Sequence, residues 1–301
     1  MTPIHLSRER SLSTAASERA LATVQRDLAR FQEQMTTGLR VNRASDDPTA
    51  FAQARRLEHL NQRYEQYLRT IGGATSWVDH TQDTLDQMAD RITEAYERGI
   101  RANSHVFDTA ERDAEANRIE LILSDVVDLL NATDGDEYLF AGSRTTVQPF
   151  DGAGGVVVYN GNTAGRSRQI GDNLRMDVNI SGDRIHDTGA GFTITESLQD
   201  LADAVRTGDP TQMETALDRI VTARDHVFER GAEAGGIANR MQQAADQLRD
   251  ATLRVDSHRS ELEDVDMAEA IMEYQRAQTG LQAALQVTAS VLQTSLLNYL
   301  R

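Results

Sequence analysis

Apolar residues recur at alternating steps of three and four positions along most of the chain. The first such run consists of Leu21, Val24, Leu28, Phe31 and Met35. This spacing places all five side chains on one face of an α-helix. The helix is predicted to end at Gly38, because glycine tolerates the left-handed conformation in which many helices finish.

A second helix is predicted to begin directly after a short polar loop. The loop ends in the sequence Ser45-Asp46-Asp47-Pro48. Asp47 suits the N-cap position, since its carboxylate can accept hydrogen bonds from the first free amides of a helix. Pro48 suits the first helical position, where the N–H that proline lacks is not needed. The loop therefore separates two helices.

The second helix carries a long apolar run. Its members are Leu57, Leu60, Tyr64, Tyr67, Ile71, Ala74, Val78, Thr81, Leu85, Met88, Ile92, Ala95 and Gly99. A repeat that averages 3.5 residues is typical of helices paired in coiled coils. Trp77 lies beside this run, so a role in packing or in an interface is expected rather than ligand binding. Gly72-Gly73 costs the helix roughly 1 kcal/mol per glycine, which close packing against another helix or a bend would explain.

Helices are also predicted on either side of the middle of the chain. One runs from about Thr109 to Leu130, and another begins near Thr195. Asp209-Pro210 gives a further capped start, after which the apolar steps continue from Met213 to Val255.

The last helix is predicted to follow Glu263-Asp264 and to have an interrupted apolar face. Its apolar residues Ile271, Leu281, Leu285, Leu292 and Tyr299 alternate with Gln278, Thr288 and Ser295. Alanines at positions 270, 277 and 284 lie beside this face. Such small side chains allow another helix to approach closely.

Residues 131–194 differ from the rest of the chain in composition and pattern. Glycine, asparagine and aspartate separate short β-branched runs, and Asn160-Gly161 directly follows Val156-Val157-Val158-Tyr159. Asn-Gly after a β-branched run is typical of a hairpin turn. The segment is therefore predicted to be a small β-rich insertion.

These patterns predict a mainly α-helical chain that forms a long antiparallel coiled-coil bundle. If the chain folds back at the insertion, the first helix pairs with the last and the second with the second-last. We expect a terminal helical assembly segment (1–44), a helical core in two halves (45–137 and 195–257), a β-rich outer domain (138–194) and a C-terminal assembly helix (258–301). The expected core of the monomer comprises Leu57, Ile71, Leu85, Ile92, Leu217, Ile220 and Leu248.

Charge and composition exclude several classes of function. The 301 residues carry a net charge of -16, which disfavours nucleic acid and anionic membranes as partners. All 31 basic residues are arginine, so a Walker A loop and a Schiff-base lysine are excluded. There is no cysteine, hence no disulfide and no thiolate nucleophile.

Targeting signals and catalytic motifs are also missing from the sequence. The first 20 residues lack the apolar stretch of a secretory signal peptide, and no run reaches the roughly 18 apolar residues of a membrane span. The chain is therefore expected to stay in the cytoplasm or to leave it by a route that needs no such signal. The seven histidines are scattered, and Asp134-Gly135-Asp136-Glu137 fails the spacing of a calcium loop. We expect no catalytic residues, no cofactor and no metal.

Several motifs resemble the bacterial flagellin family. They are Thr36-Thr37-Gly38-Leu39-Arg40-Val41-Asn42, Ser45-Asp46-Asp47-Pro48, Tyr138-Leu139-Phe140-Ala141-Gly142-Ser143, Asp264-Val265-Asp266-Met267-Ala268-Glu269-Ala270-Ile271 and Ser295-Leu296-Leu297-Asn298-Tyr299-Leu300. They span essentially the whole chain. The Ser-Asp-Asp-Pro form is more similar to members that join the hook to the filament than to filament-forming members.

The resemblance implies a structural role outside the cell. Junction members are exported unfolded by the flagellar type III apparatus without a cleavable signal peptide, and assemble into a ring between hook and filament. The implied partners are further copies, the neighbouring hook-associated junction protein, flagellin, and an export chaperone at the C-terminal helix. The assembly residues expected from this are Leu21, Val24, Leu28, Phe31, Met35, Ile271, Leu281, Leu285, Leu292 and Tyr299.

Three other interpretations are open at this point. A short filament flagellin would share the same motifs. A cytoplasmic coiled-coil scaffold or signalling protein should have one uninterrupted helical hairpin, and the β-rich middle argues against it. A flagellin-like enzyme would need a catalytic insertion, whereas this insertion is short and lacks any recognised triad or metal set.

Overall fold

A computed structural model describes the backbone of residues 3–104, 107–152 and 157–299, and the side chains of 18–103, 107–152 and 157–290. Its helices are α1 (Pro3–Thr37), α2 (Pro48–Ser104), α3 (Thr109–Leu130), α4 (Gly182–His186), α5 (Ile194–Thr207), α6 (Pro210–Glu263) and α7 (Met267–Tyr299). Its strands are β1 (Thr133–Asp134), β2 (Glu137–Tyr138), β3 (Phe150–Asp151), β4 (Val158–Tyr159), β5 (Ser167–Gln169) and β6 (Arg175–Asp177). The mainly helical fold with a small β-rich insertion is confirmed.

The helix ends follow the local chemistry of the sequence. Gly38 closes α1 with φ of +74°, and the Asp47 carboxylate accepts the amides of Thr49 and Ala50, each at 3.0 Å. Asp209 caps α6 by accepting the amide of Thr211 at 2.8 Å. The predicted helix boundaries at these positions are confirmed, because each depends on residues next to the boundary.

The chain divides into two compact units. The first consists of Met1–Arg63 and Ala251–Arg301, and the second of Tyr64–Asp250. In the first unit α1 packs against α7, and an antiparallel bridge joins Leu39 to Asp264. The predicted pairing of the first helix with the last is confirmed.

A single hydrophobic core fills the second unit. Ile71, Leu85, Ile92 and Ile220 are all at most 3 % exposed, as expected for core residues. Leu217 and Leu248 are partly buried and pack against this core. The seventh expected member, Leu57, is only half-buried and lies in the first unit, so its assignment to this core was wrong. The apolar spacing identifies the covered face of α2 but not how deeply each position is covered.

Trp77 belongs to the core and lies under an arginine. Trp77 is 5 % exposed, and the Arg166 guanidinium carbon lies 4.2 Å from the centroid of its ring. Arg166 also pairs with Glu137 at 2.6 Å and holds the pKa of that carboxyl below its usual value. The expected packing role of Trp77 is confirmed.

Gly72-Gly73 has no close neighbour in the described part of the chain. A Cβ placed on either glycine would meet no atom within 4 Å, and both residues are exposed. Helix α2 continues through them. Close packing within the chain therefore does not explain this pair.

The insertion contains three antiparallel strand pairs, β1–β2, β3–β4 and β5–β6. Asn160-Gly161 does not turn a hairpin, because β4 pairs with the preceding strand through Phe150 and Tyr159. A Cβ on Gly161 would lie 2.4 Å from the Tyr159 ring. The glycine thus permits close approach of an aromatic ring rather than a turn.

The segment Tyr138–Ser143 anchors the insertion to the helices. Leu139 and Phe140 are at most 2 % exposed. Tyr159 donates its hydroxyl to the carbonyls of Asn162 at 2.8 Å and Phe140 at 3.1 Å. Burial raises the pKa of Tyr159 to about 12, so the hydroxyl keeps its proton and remains a donor.

Candidate assembly surface

The predicted assembly residues of α1 share one face. Leu21, Val24, Leu28, Phe31 and Met35 are all half-buried. This face packs against α7, where a Cβ placed on Gly280 would lie 3.9 Å from Val24 Cγ1. The contact is shallow, because none of the five side chains is fully buried.

The covered side of α7 is formed mainly by small residues. Ala270 is buried, and Ala277, Leu281, Ala284 and Thr288 are half-buried. Their spacing of seven, four, three and four positions is that of one helical face. The alanines that were expected to admit another helix therefore lie where α7 is covered within its own chain.

A second apolar stripe of α7 is exposed. Met267 is 43 % exposed, Ile271 40 % and Leu285 49 %, whereas Leu281 is half-buried on the covered face. The side chains of Leu292 and Tyr299 lie outside the described residues. The predicted face of α7 is thus divided, since Leu281 is partly covered within the chain while Ile271 and Leu285 are open to a partner.

The loop between α1 and α2 is fastened to the chain between α6 and α7. The Arg40 amide donates to the Glu263 carbonyl at 2.6 Å, and the Val265 amide donates to the Gly38 carbonyl at 3.0 Å. The Arg40 guanidinium donates to the Leu262 carbonyl at 2.7 Å. We call these contacts the clasp, residues 38–41 with 262–265.

The loop that follows the clasp is held by its own aspartates. The Asp46 carboxylate accepts the amides of Asn42 at 3.1 Å and Arg43 at 2.9 Å. The Asp47 carboxylate caps α2 and lies 3.9 Å from the Arg40 guanidinium. Ser45-Asp46-Asp47-Pro48 therefore fixes both the loop and the start of the next helix.

Sequence analysis missed the clasp as a contact between distant motifs. Val41, which is 2 % exposed, and Gln34, whose side-chain amide donates to the Arg40 carbonyl at 3.0 Å, were not singled out as contact residues. One feature of the sequence could have indicated this contact: the motifs that follow Gly38 and Glu263 each come directly after the predicted end of a helix. In an antiparallel helix pair such ends lie side by side.

The described ranges contain no group of three or more histidine and acidic side chains placed to hold a metal ion. None of their helices is both long enough and apolar enough to span a membrane.

Comparison with known proteins links this surface to a family. The N-terminal helical region of bacterial flagellin matches residues 10–145, and the C-terminal helical region matches residues 217–300. The chain belongs to the bacterial flagellin family. Both sides of the clasp and the described faces of α1 and α7 lie within these matched regions, and most of the β-rich insertion lies between them.

Two curated relatives and one solved structure refine the likeness. Flagellar hook-associated protein 3 of Escherichia coli is 27 % identical over 289 residues, which cover 88 % of this chain and 90 % of that protein. Flagellar hook-associated protein 3 of Salmonella typhimurium is 30 % identical over 173 residues, 57 % of this chain and 54 % of that protein. The crystal structure of flagellar hook-associated protein 3 from Legionella pneumophila shares the fold, with a TM-score of 0.62, 14 % identity and coverage of 68 % of this chain and 98 % of that chain.

Proposed function

We propose that this chain is a structural protein of the bacterial flagellum that forms the junction between hook and filament, and that it is not an enzyme. The observation that supports the junction most directly is the likeness to a hook-associated protein along 88 % of the chain. The exposed stripe of α7 beside the clasp gives such a protein a surface through which to assemble.

Assembly follows from what the first unit leaves uncovered. The α1–α7 contact is shallow, and Met267, Ile271 and Leu285 are exposed. Burial of apolar surface contributes about 25 cal/mol per Å². A ring of copies can cover these stripes with one another, and the neighbouring hook-associated protein and flagellin can cover them at the two ends of the ring. Residues 1–44 and 258–301 then act as the assembly segments, 45–137 and 195–257 as the helical core and 138–194 as the outer domain.

The same exposed stripe calls for protection before assembly. In the cytoplasm it would promote aggregation, so we propose that a helical export chaperone covers α7 until export. Export through the flagellar type III apparatus places the protein outside the cell without a cleavable signal peptide.

Immunogold electron microscopy of isolated flagella tests the junction. Antibody against this chain should label a single band at the boundary between hook and filament. Label along the whole filament would show instead that the chain is a short filament flagellin.

Deletion of the gene gives an independent test. Cells that lack the protein should carry hooks without filaments and should release flagellin into the medium. Expression of the intact chain from a plasmid should restore filaments. Normal filaments on the deletion strain would rule out the proposed role.

A further inference from the structure

A basic cleft lies in the second unit, between the β5–β6 hairpin and α6, and has a volume of about 600 Å³. Arg175, Arg184 and Arg240 line it together with Asp177 and Glu233. Arg184 and Glu233 form a two-pronged ion pair at 3.0 and 3.1 Å. Arg175 and Arg240 are exposed and have no acidic partner among the described residues.

The interior of the cleft also contains an unused donor. The Asn179 side-chain oxygen accepts the Arg166 amide at 2.5 Å, whereas its Nδ2 is buried without a hydrogen-bond partner in the described structure. Buried polar groups are nearly always hydrogen-bonded. That amide is shielded from a partner, so the exposed guanidinium groups of Arg175 and Arg240 are the donors that suit an incoming carboxylate.

An acidic groove of about 520 Å³ lies elsewhere in the same unit, between α2 and α3. Asp90, Asp125 and Asp128 line it with Arg91, which lies 3.6 Å from Asp125. Asp90 and Asp128 are exposed and have no basic partner in the described ranges. The two surfaces thus carry opposite net charge, since three arginines and two acidic residues line the cleft, whereas three aspartates and one arginine line the groove.

We propose that the basic cleft of one copy binds the acidic groove of the next copy in the assembled ring. This inference rests on the proposed function. Copies with a net charge of -16 repel one another, so a contact between them needs local charge complementarity. A contact between two different surfaces repeats from copy to copy and can close a ring, whereas a contact between identical surfaces ends at a dimer.

Cross-linking measures the contact directly. The chain has no cysteine, so Thr163→Cys at the cleft and Gln87→Cys at the groove introduce the only two thiols. A short bis-maleimide applied to isolated flagella should join neighbouring copies into a ladder of multimers. Thr163→Cys combined with Thr215→Cys, which is exposed but does not line the groove, should give no ladder.

Charge reversal identifies the interaction responsible. In the cysteine background, the cleft variant carries Arg175→Glu and Arg240→Glu, and the groove variant carries Asp90→Arg and Asp128→Arg. Each variant alone places like charges opposite one another at the contact. The amount of cross-linked multimer should therefore fall at least about tenfold. Equal co-expression of both variants should restore it, because every cleft then has a groove of opposite charge available.

Matched changes elsewhere control for charge and folding. Arg69→Glu with Arg249→Glu alters the same number of exposed arginines on helical surfaces outside the cleft and should leave the ladder intact. All charge variants should melt within a few degrees of the parent, since the altered side chains are exposed. A ladder that the cleft variant leaves unchanged, or that co-expression fails to restore, would overturn the proposal.

Immunogold labelling of the same cells separates this inference from the proposed function. No ladder from Thr163→Cys with Gln87→Cys, combined with label at the hook–filament boundary, would overturn the contact and leave the junction role standing. Label away from that boundary would overturn the junction role and this contact with it.

Discussion

Leu85 shows how much one side chain contributes to the second unit. It is 1 % exposed in the core, whereas Leu121 of α3 is 67 % exposed. Leu85→Ala should lower the free energy of unfolding by about 2–4 kcal/mol, because it leaves a cavity among packed neighbours. Leu121→Ala should change it by less than about 0.5 kcal/mol. Thermal and urea unfolding measure both, and equal losses would contradict this placement of Leu85.

His186 should make the stability of the second unit depend on pH. Its ring packs 5.2 Å from the Phe150 ring, and Nε2 lies 2.7 Å from Thr195 Oγ1. Burial lowers the pKa of His186 from 6.5 to about 4, partly opposed by the charges of Glu196 and Asp187. The unfolded chain therefore binds a proton that the folded chain does not. The contribution of neutral His186 to the free energy of unfolding is therefore fully present above pH 6.5 and is lost as the pH falls toward 4.

The size of this effect follows from the pKa difference. It amounts to about 3 kcal/mol across the window, since one pKa unit corresponds to about 1.4 kcal/mol. His186→Gln can still hydrogen-bond Thr195 but cannot titrate. Urea unfolding between pH 6.5 and 5 should show a clear loss of stability for the parent chain and a flatter profile for the variant. If the stability of the parent chain and of the variant depended on pH with the same slope, another residue would be taking up the proton.

Among the elements, two open glycines should respond in opposite ways to the same substitution. A Cβ placed on Gly38 or Gly72 would meet no atom within 4 Å, but only Gly38 has a positive φ, +74°. Gly38→Ala should cost about 1–2 kcal/mol, because the left-handed conformation strains an L-residue. Gly72→Ala should stabilise α2 by up to about 1 kcal/mol, because alanine favours the helix. Chemical unfolding measures both, and a change of the same sign at both sites would refute the conformational argument.

Helix boundaries were predictable because neighbouring residues determine them. Asp47-Pro48 and Asp209-Pro210 cap and start their helices with side chains that act within three residues. Hairpin pairing was less predictable, since Asn160-Gly161 has turn chemistry but the strand before it pairs with the earlier β3. The partner of a strand depends on packing that the turn residues do not encode.

The pairing of the terminal helices was predictable, but the face of α7 that its own chain covers was not. A repeat of three and four positions allows two neighbouring apolar stripes on α7, and the sequence alone does not say which one its own chain covers. Leu281 is half-buried on the covered stripe, whereas Leu285 is 49 % exposed on the other. The clasp between Arg40 and Leu262 joins residues 222 positions apart, beyond the reach of local patterns.

At the scale of the whole molecule, the sequence motifs near the two ends of the chain meet in one unit. The clasp binds the motif after α1 to the motif before α7, and both lie in the first unit. The second unit has its own core. Substitutions in the exposed stripe of α7 should therefore impair assembly without unfolding the core of the second unit.

This separation yields a test of assembly. Leu285→Asp, alone or with Leu281→Asp, should leave the melting of the second unit nearly unchanged, because both residues lie in the first. It should abolish co-purification with the proposed export chaperone and incorporation at the hook tip, since a carboxylate in a dry contact costs several kcal/mol.

Gln286→Asp adds the same charge at an exposed neighbouring position and should retain both properties. Electron microscopy of complemented cells gives the decisive result. Normal filaments with the double variant would show that this stripe does not determine assembly, whereas loss with Leu285→Asp alone would assign the partner contact to the stripe that the chain leaves open.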